Sequence, residues 1–377
     1  MVAIAVLFAV YVFIYSGFVL WLASGFARVE RFNSDKQDPK TTFSIVIPFR
    51  TEEKNLPALL ESITRLEYPK ESFELIFIND ASEDFSENLI NKWRMANGSF
   101  ATTMIDNIRL SGSPKKDAIS RAIPIAKGDF VITTDADCEL PGRWLATFDA
   151  FIRSRNAEMV AGPVIYGGKN NFLDHFQRLD FLSLQGVTIG SFGLGKPFMC
   201  NGANFAYARS FFNEIGGFRG VDDFASGDDV MLLQKAVRRF PEKVAYLKSA
   251  DAIVKTQPAK TWGELFNQRV RWASKAVGYD HLLAENLALV TFLANLFLVI
   301  SAICTTTDFF DWRLPLVLFI LKLIPDWIML SKTNGFFRNS RIVFPVFASL
   351  CYPFFVSVVA IWAIIGRYRW KGRVFKK

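Results

Sequence analysis

The sequence predicts an α/β protein: a doubly wound, mostly parallel sheet flanked by membrane-crossing helices. Three observations predict it. From Thr41 to Gly142, short apolar runs alternate with helical patterns, the texture of a parallel sheet covered on both faces. Residues 2–26 carry no charge and are apolar almost throughout, and three further apolar stretches, 285–304, 314–330 and 342–365, close the chain. Polar clusters recur at the predicted strand ends, where ligands of such sheets bind.

In chain order, residues 1–27 read as a membrane helix. Arg28, Arg31, Lys36 and Lys40 follow at once, which places the next segment in the cytoplasm and the amino terminus outside. A cleaved signal peptide would carry its positive charge before the apolar run and have a shorter core. The 41–280 segment is the expected α/β domain. FSIVIP (43–48) and FELIFIND (73–80) read as buried strands, and LPALLESITRL (56–66) as a helix with Pro57 in its first turn. A helix opens in ASEDFSENLINKWRM, with Ser82 and its acidic neighbours as capping groups. Residues 117–126 read as a helix, and Gly128 and Asp129 lead into the strand FVIT before Asp135-Ala136-Asp137. A strand over 158–166 and helices over 171–190, 226–240 and 260–279 follow, the last basic, aromatic and amphipathic, as interfacial helices are.

Residues 284–366 form the expected C-terminal membrane region, and 367–377 a basic tail. Lys322, Pro325 and Asp326 mark the 314–330 stretch as partly buried or re-entrant, and Pro345 and Pro353 mark 342–365 as a kinked span or hairpin. Three full C-terminal spans would put the basic tail outside, so one of these two stretches is expected not to cross once.

Of 377 residues, 51% are hydrophobic and the formal charge is +8. Basic residues beside apolar spans suit an anionic membrane surface, and no nucleic-acid partner is expected. Four cysteines without CxxC spacing and only two histidines argue against a zinc site and suit a reducing compartment.

The chemistry-bearing clusters are Arg50 to Glu53, Asn79 to Asp84, Asp135 to Asp137, and the loop Ser111 to Lys116 with its two cations. Two carboxylates one residue apart can share a hard divalent cation with substrate phosphates, and also suit a solvated turn or an N-cap before Pro141. Asp228-Asp229 at a helix start reads as a cap or a base, and Arg271-Trp272 as a membrane anchor or a site.

Taken together, SIVIPFRTEEKN (44–55), INDASED (78–84), KKDAISRAI (115–123), TTDADC (133–138), CNGANFAYAR (200–209), SGDDVML (226–232) and QRVRW (268–272) resemble a membrane-bound family 2 glycosyltransferase of GT-A fold. The branch is that of cellulose, hyaluronan and ceramide-glucoside synthases. The resemblance implies that Pro48, Arg50, Glu52, Asp80 and Asp135 bind a nucleotide-sugar donor (a UDP- or GDP-sugar). It gives Lys115 or Lys116 to the diphosphate, and Asp137 with Asp135 to Mg²⁺ or Mn²⁺. Asp229 stands at the position of the base beside Asp228, where Glu-Asp is usual, and Gln268, Arg271 and Trp272 at the acceptor or diphosphate. The implied reaction is inverting sugar transfer at the cell (inner) membrane, with a lipid acceptor favoured. A glycan acceptor in a processive polysaccharide synthase is the alternative, and a catalytically dead scaffold subunit the second.

Overall fold

The computed structural model describes all residues except 35–37, 169–170, 222–226, 275–280, 338–344, 371–372 and 376–377, with backbone alone for 368–370 and 373–375. Ser226, residues 275–279 and residues 342–344, all parts of expected helices or motifs, lie outside the described residues. The chain divides into two compact units: residues 29–167 with 195–257, and residues 1–28 with 168–194 and 258–377.

The first unit is built on a seven-stranded sheet. Strands β1 (Phe43–Phe49), β2 (Phe73–Asn79), β3 (Ala101–Asp106) and β4 (Phe130–Thr133) are parallel, in the order β3-β2-β1-β4. The sequence order therefore reverses between β1 and β4, and that reversal opens the ligand crevice of a doubly wound sheet. Pro48 marks the opening. A proline is poorly tolerated between two paired strands because it donates no ladder bond. Here β4 pairs with β1 only from Phe43 to Val46, and the last β4-side bond runs from Thr134 N to Val46 O at 3.2 Å, so the β4 side of Pro48 is already unpaired.

The expected strand over 158–166 divides at Gly162-Pro163 into β6 (Met159–Ala161) and β7 (Val164–Tyr166), which join different sheets. β7 and the short β5 (Cys138–Glu139) flank β10 (Val254–Thr256) in a three-stranded sheet. β8 (Phe205–Ala208) inserts antiparallel between β4 and β6, and β9 (Val244–Tyr246) closes the edge. β8 has functional weight: its reversed direction pairs Phe205 with Thr133, so the turn before β8 lies at the carboxyl end of β4.

Helix α2 (Leu56–Thr64) carries Pro57 in its first turn, as expected. α3 (Ser86–Ala96) does not begin at Ser82, whose hydroxyl instead accepts from Thr51 N at 3.1 Å. The N-cap position falls on Phe85, which offers no side-chain cap; Asp84 before it accepts from Ser86 N at 3.1 Å and ties in the loop after β1 through Glu53 N at 3.0 Å. Burial would raise the Asp84 carboxyl's pKa, but the Ser86 hydroxyl first, and then the backbone N–H groups, bring it below the ordinary value. α4 (Pro114–Ala122) starts three residues before the expected helix, which removes Lys115 and Lys116 from a loop. α5 (Trp144–Arg155), α7 (Arg209–Glu214) and α8 (Asp228–Arg239) complete this unit.

The second unit contains α1 (Val2–Arg28), α6 (Phe172–Gly193), α9 (Trp262–Ser274), α10 (Leu282–Thr305), α11 (Arg313–Phe337) and α12 (Pro345–Ile365). Among the described residues four helices, α1, α10, α11 and α12, are long and apolar enough to cross a membrane. The stretch expected as partly buried or re-entrant, and the described part of the one expected as a kinked span or hairpin, are each one continuous helix, with Pro325 and Pro353 inside them. In α11 the reason is visible. Pro325 cannot bond the Leu321 carbonyl, and Ser16 Oγ from α1 lies 3.1 Å from that carbonyl, sharing its one proton between it and Val12 O at 2.8 Å. Lys322 pairs with Asp326 at 2.6 Å, and Asp326 accepts from Tyr15 OH at 2.6 Å, so both charges are satisfied within the helix bundle.

β4 is seated by a buried polar knot. Ser44 Oγ donates to Glu74 Oε1 at 2.7 Å, Lys127 N donates to the same oxygen at 2.6 Å, and Gly128 N donates to Ser44 Oγ at 2.9 Å. A Cβ on Gly128 would stand 2.6 Å from the backbone of Phe43 and Ser44. Gly128→Ala should therefore part β1 from β4, costing about 1–3 kcal/mol. The apparent melting temperature in detergent should fall by several degrees, while Gly98→Ala, whose Cβ meets nothing within 4 Å, should leave it unchanged.

Candidate active site

At the carboxyl edge of β4, Lys115 is the centre of a charge cluster. Its Nζ donates to Asp135 Oδ1 at 2.7 Å and lies 3.3 Å from Asp228 Oδ2. Burial alone would lower the Lys115 pKa, but Asp135 and then Asp228 raise it above the ordinary lysine value. The sign follows: the charge contributes fully below the ordinary lysine pKa and is lost only as pH rises through the still higher folded value. Lys115 is thus a permanent cation at neutral pH.

Lys116 goes elsewhere. Consecutive helix residues diverge by about 100° around the axis, so only one of the two can face the cluster. Lys116 is 1% exposed, and its Nζ donates to the Val221 carbonyl and lies 3.4 Å from Met231 Sδ.

Asp229, in the first turn of α8, accepts from Gly202 N at 3.0 Å and, through its other oxygen, from Val230 N at 2.8 Å. Gly202 opens the turn before β8, and Thr133 Oγ1 ties its carbonyl to the end of β4 at 2.7 Å. Space here is tight. A Cβ on Gly202 would meet Asp228 Oδ2 at 3.1 Å, Asp229 Cβ at 3.3 Å and Lys115 Nζ at 3.3 Å. Gly202 stood in a recognisable motif, but the closeness of the turn to the cluster follows from the antiparallel β8, which the sequence did not announce.

Asp137 accepts from Thr256 Oγ1 at 3.3 Å, and Cys138 Sγ lies 3.8 Å from its other oxygen. Burial first, then the Asp137 and Asp135 charges, raise the Cys138 pKa, so this thiol stays protonated. No group of three or more His, Cys, Asp or Glu side chains that could hold a metal occurs among the described residues. Two carboxylates one residue apart nevertheless fit a hard divalent cation of the Mg²⁺ type, which takes one or two carboxylates and completes its shell with water and substrate phosphates.

Across the switch point, Asp80 closes β2. Its Oδ1 accepts from Asn107 Nδ2 at 3.0 Å and Arg109 Nε at 3.1 Å. Neither partner was expected, because β3 is a partly exposed edge strand without a buried apolar run. Arg50 donates to the carbonyls of Asp80 and Ala81 at 2.8 and 2.7 Å and pairs with Glu83 at 3.2 Å. It locks the two strand ends together, where Thr51 and Ala81 both take positive φ (53° and 57°), strained for residues with a Cβ. Glu52 is buried, its carboxylate accepting from Asn55 Nδ2 at 2.6 Å and its N–H donating to Ser86 Oγ at 2.8 Å. Pro48, Arg50, Glu52, Asp80, Lys115, Asp135, Asp137, Asp228 and Asp229 thus all belong to the first unit, at or beside the carboxyl edge of its sheet. Gln268, Arg271 and Trp272 belong to α9 of the second.

A doubly wound sheet with one antiparallel insertion and carboxylates at its switch-point edge defines the GT-A class of fold. A solved mannosyltransferase from Pyrobaculum calidifontis, PcManGT in complex with GDP-Man and Mn²⁺, shares it. The likeness covers 96% of this chain and 98% of that one, with a TM-score of 0.61 at 16% identity. The chain belongs to Glycosyl transferase family 21, whose model matches residues 4–376. The resemblance pointed to family 2; the agreement is at the level of GT-A glycosyltransferases.

Among curated relatives, the probable glycosyltransferase YdaM of Bacillus subtilis (strain 168) is 27% identical over 251 residues, 63% of this chain and 55% of that protein. The chain thus spans about half the length of that relative. The undecaprenyl-phosphate 4-deoxy-4-formamido-L-arabinose transferase of Aeromonas hydrophila subsp. hydrophila is 37% identical over 99 residues, 26% of this chain and 29% of that protein.

Gly202→Ala tests the tight cluster. The added methyl should push apart Lys115 and the Asp228–Asp229 turn, lowering the turnover rate by about 10–100-fold. The melting temperature should stay close to that of the parent; an unchanged rate would mean that the cluster is not part of the active site.

Proposed function

We propose that this chain transfers a sugar from a nucleoside-diphosphate sugar to a hydroxyl or phosphate oxygen of a membrane lipid, with inversion and with a divalent metal ion. The observation that carries the proposal is the Lys115 bridge between Asp135 and Asp228, beside Asp229, at the carboxyl edge of β4. Support for the donor comes from the family and from the GDP-Man of the mannosyltransferase of like fold. Support for a lipid acceptor comes from the four long apolar helices and from the undecaprenyl-phosphate named for one relative.

In this reading Asp80, with Pro48, Arg50 and Glu52, shapes the nucleoside pocket, and Asp80 has fixed oxygens for a ribose or base donor. Lys115 compensates Asp135 and Asp228 before substrate arrives and faces the diphosphate afterwards. Asp137, with Asp135 directly or through water, would hold Mg²⁺ or Mn²⁺. When bound, that ion offsets charge developing on the departing diphosphate. With a hydroxyl acceptor, Asp229, held by two backbone N–H groups, takes its proton as the oxygen bonds to the anomeric carbon and the bond to the diphosphate breaks; an ionised phosphate acceptor attacks without that transfer. Attack from the face opposite the leaving group inverts the centre. Gln268, Arg271 and Trp272 keep the acceptor or diphosphate roles that the resemblance gives them. The basic residues after α1 orient the catalytic unit to the cytoplasm at the cell (inner) membrane.

A panel of sugar nucleotides incubated with membranes containing the chain, read by mass spectrometry, should yield one singly glycosylated lipid. A long polymer would instead establish a processive synthase, and no product from any donor would leave a scaffold. Asp229→Asn should keep donor binding and lower transfer by about 10²–10⁴-fold, the range for loss of a general base; transfer at the parental rate excludes Asp229 from that role. Asp137→Ala should abolish metal-dependent release of nucleoside diphosphate, and turnover that survives a chelator in the parent would remove the metal from the mechanism.

A further inference from the structure

The signature residues on α9 are held by a buried ion pair to which the resemblance assigns nothing. Arg269 and Asp180 are each 6% exposed. Arg269 Nε donates to Asp180 Oδ2, and its Nη1 donates to the neighbouring Gln268 Oε1. The same guanidinium lies 4.3 Å from the centre of the Trp272 ring, within cation–π reach, and Phe181 of α6 stands 6.0 Å from that ring. The other oxygen of Asp180 accepts from Tyr352 OH of α12 at 3.1 Å. One guanidinium therefore touches two of the three signature side chains, and one carboxylate ties it to α6 and α12.

The pair is not needed merely to dock α9. Leu265 packs with Phe176 and Ala348, and Val270 packs with Val359 and Ala363. Gln177 also clamps the approach to α9, donating to Ala259 O at 3.0 Å and accepting from Ala259 N at 2.9 Å. A buried ion pair is weak evidence for stability, because desolvation offsets most of its attraction. What it adds is direction, since the planar guanidinium fork fixes angles that apolar packing leaves loose.

We propose that Asp180 and Arg269 are positioning residues for glycosyl transfer, setting the orientation of Gln268 and Trp272 through one guanidinium. The proposal rests on the functional reading above. The polar chain extends beyond Asp180: the Tyr352 ring lies 5.4 Å from Lys322 Nζ, which pairs with Asp326. The charges inside α11 thus belong to the same support.

The test uses the full chain in detergent with the donor found by the panel. Arg269→Lys keeps the charge but loses the fork, and Asp180→Asn loses the pair; each should lower kcat by about 10–100-fold with donor KM within about threefold of the parent. Single variants leave an unpaired buried charge or polar group, so the double variant Asp180→Leu/Arg269→Met, apolar and of similar volume, separates positioning from folding. It should melt near the parental temperature and still lose kcat. Parental kcat in the folded double variant overturns the proposal, and so does a double variant that no longer folds, which would assign the pair to stability.

A readout without turnover is ¹⁹F NMR of 5-fluorotryptophan-labelled protein, the Trp272 signal being assigned with Trp272→Phe. Arg269→Lys and Asp180→Asn should both move that signal. An unmoved signal overturns the proposal, whereas a moved signal in a chain whose parent turns over no donor overturns only the glycosyl-transfer reading.

Discussion

One ammonium group organises the candidate active site. Lys115 sits among carboxylates from two separate stretches, Asp135 after β4 and Asp228 at the start of α8. Without it those negative charges would repel one another at a partly desolvated edge, and like charges so placed are costly. Its position depends on the fold at three points. Pro114 starts α4 early enough to make Lys115 a helix residue, the reversal between β1 and β4 opens the edge, and the antiparallel β8 delivers Gly202 beneath Asp229. A side chain at Gly202 would fit only if these groups gave by a few tenths of an ångström, because all three converge on it.

Much of this was legible in the sequence where local pattern and tertiary demand agree. β1, β2 and β4 are fully or almost fully buried apolar runs and read as such, and Asp228-Asp229 opens a helix as acidic residues should. β3 escaped because it is an edge strand with partly exposed side chains, and with it went Asn107 and Arg109, which hold Asp80. β8 escaped because direction within a sheet leaves no mark on a four-residue apolar run. Ser82 was the natural cap by residue type, yet the helix starts four residues later, and Asp84 accepts from its first N–H, that of Ser86. The choice between Lys115 and Lys116 needed the helix start, since a shift in that start changes which lysine faces the edge.

The second unit shows the same dependence of local meaning on neighbours. Lys322, Pro325 and Asp326 look hostile to a continuous apolar helix. Each is answered by a partner: Ser16 for the carbonyl that Pro325 cannot bond, Tyr15 for Asp326, and Asp326 for Lys322. Arg269 reads from the sequence only as an intervening residue of a motif, although its guanidinium donates to Gln268 and lies against the Trp272 ring. Motif spacing marks which residues meet a ligand and is silent on what holds them.

The account stands on the carboxyl edge of β4 being where donor diphosphate and metal meet. The most direct measurement is a structure with Mn²⁺ and a nucleoside diphosphate, the metal located by its anomalous scattering. The account predicts a single manganese peak in coordination distance of Asp137 and of phosphate oxygens, with Lys115 beside the diphosphate. Nucleotide bound away from the switch point between β1 and β4, or manganese held without Asp135 or Asp137, would contradict it.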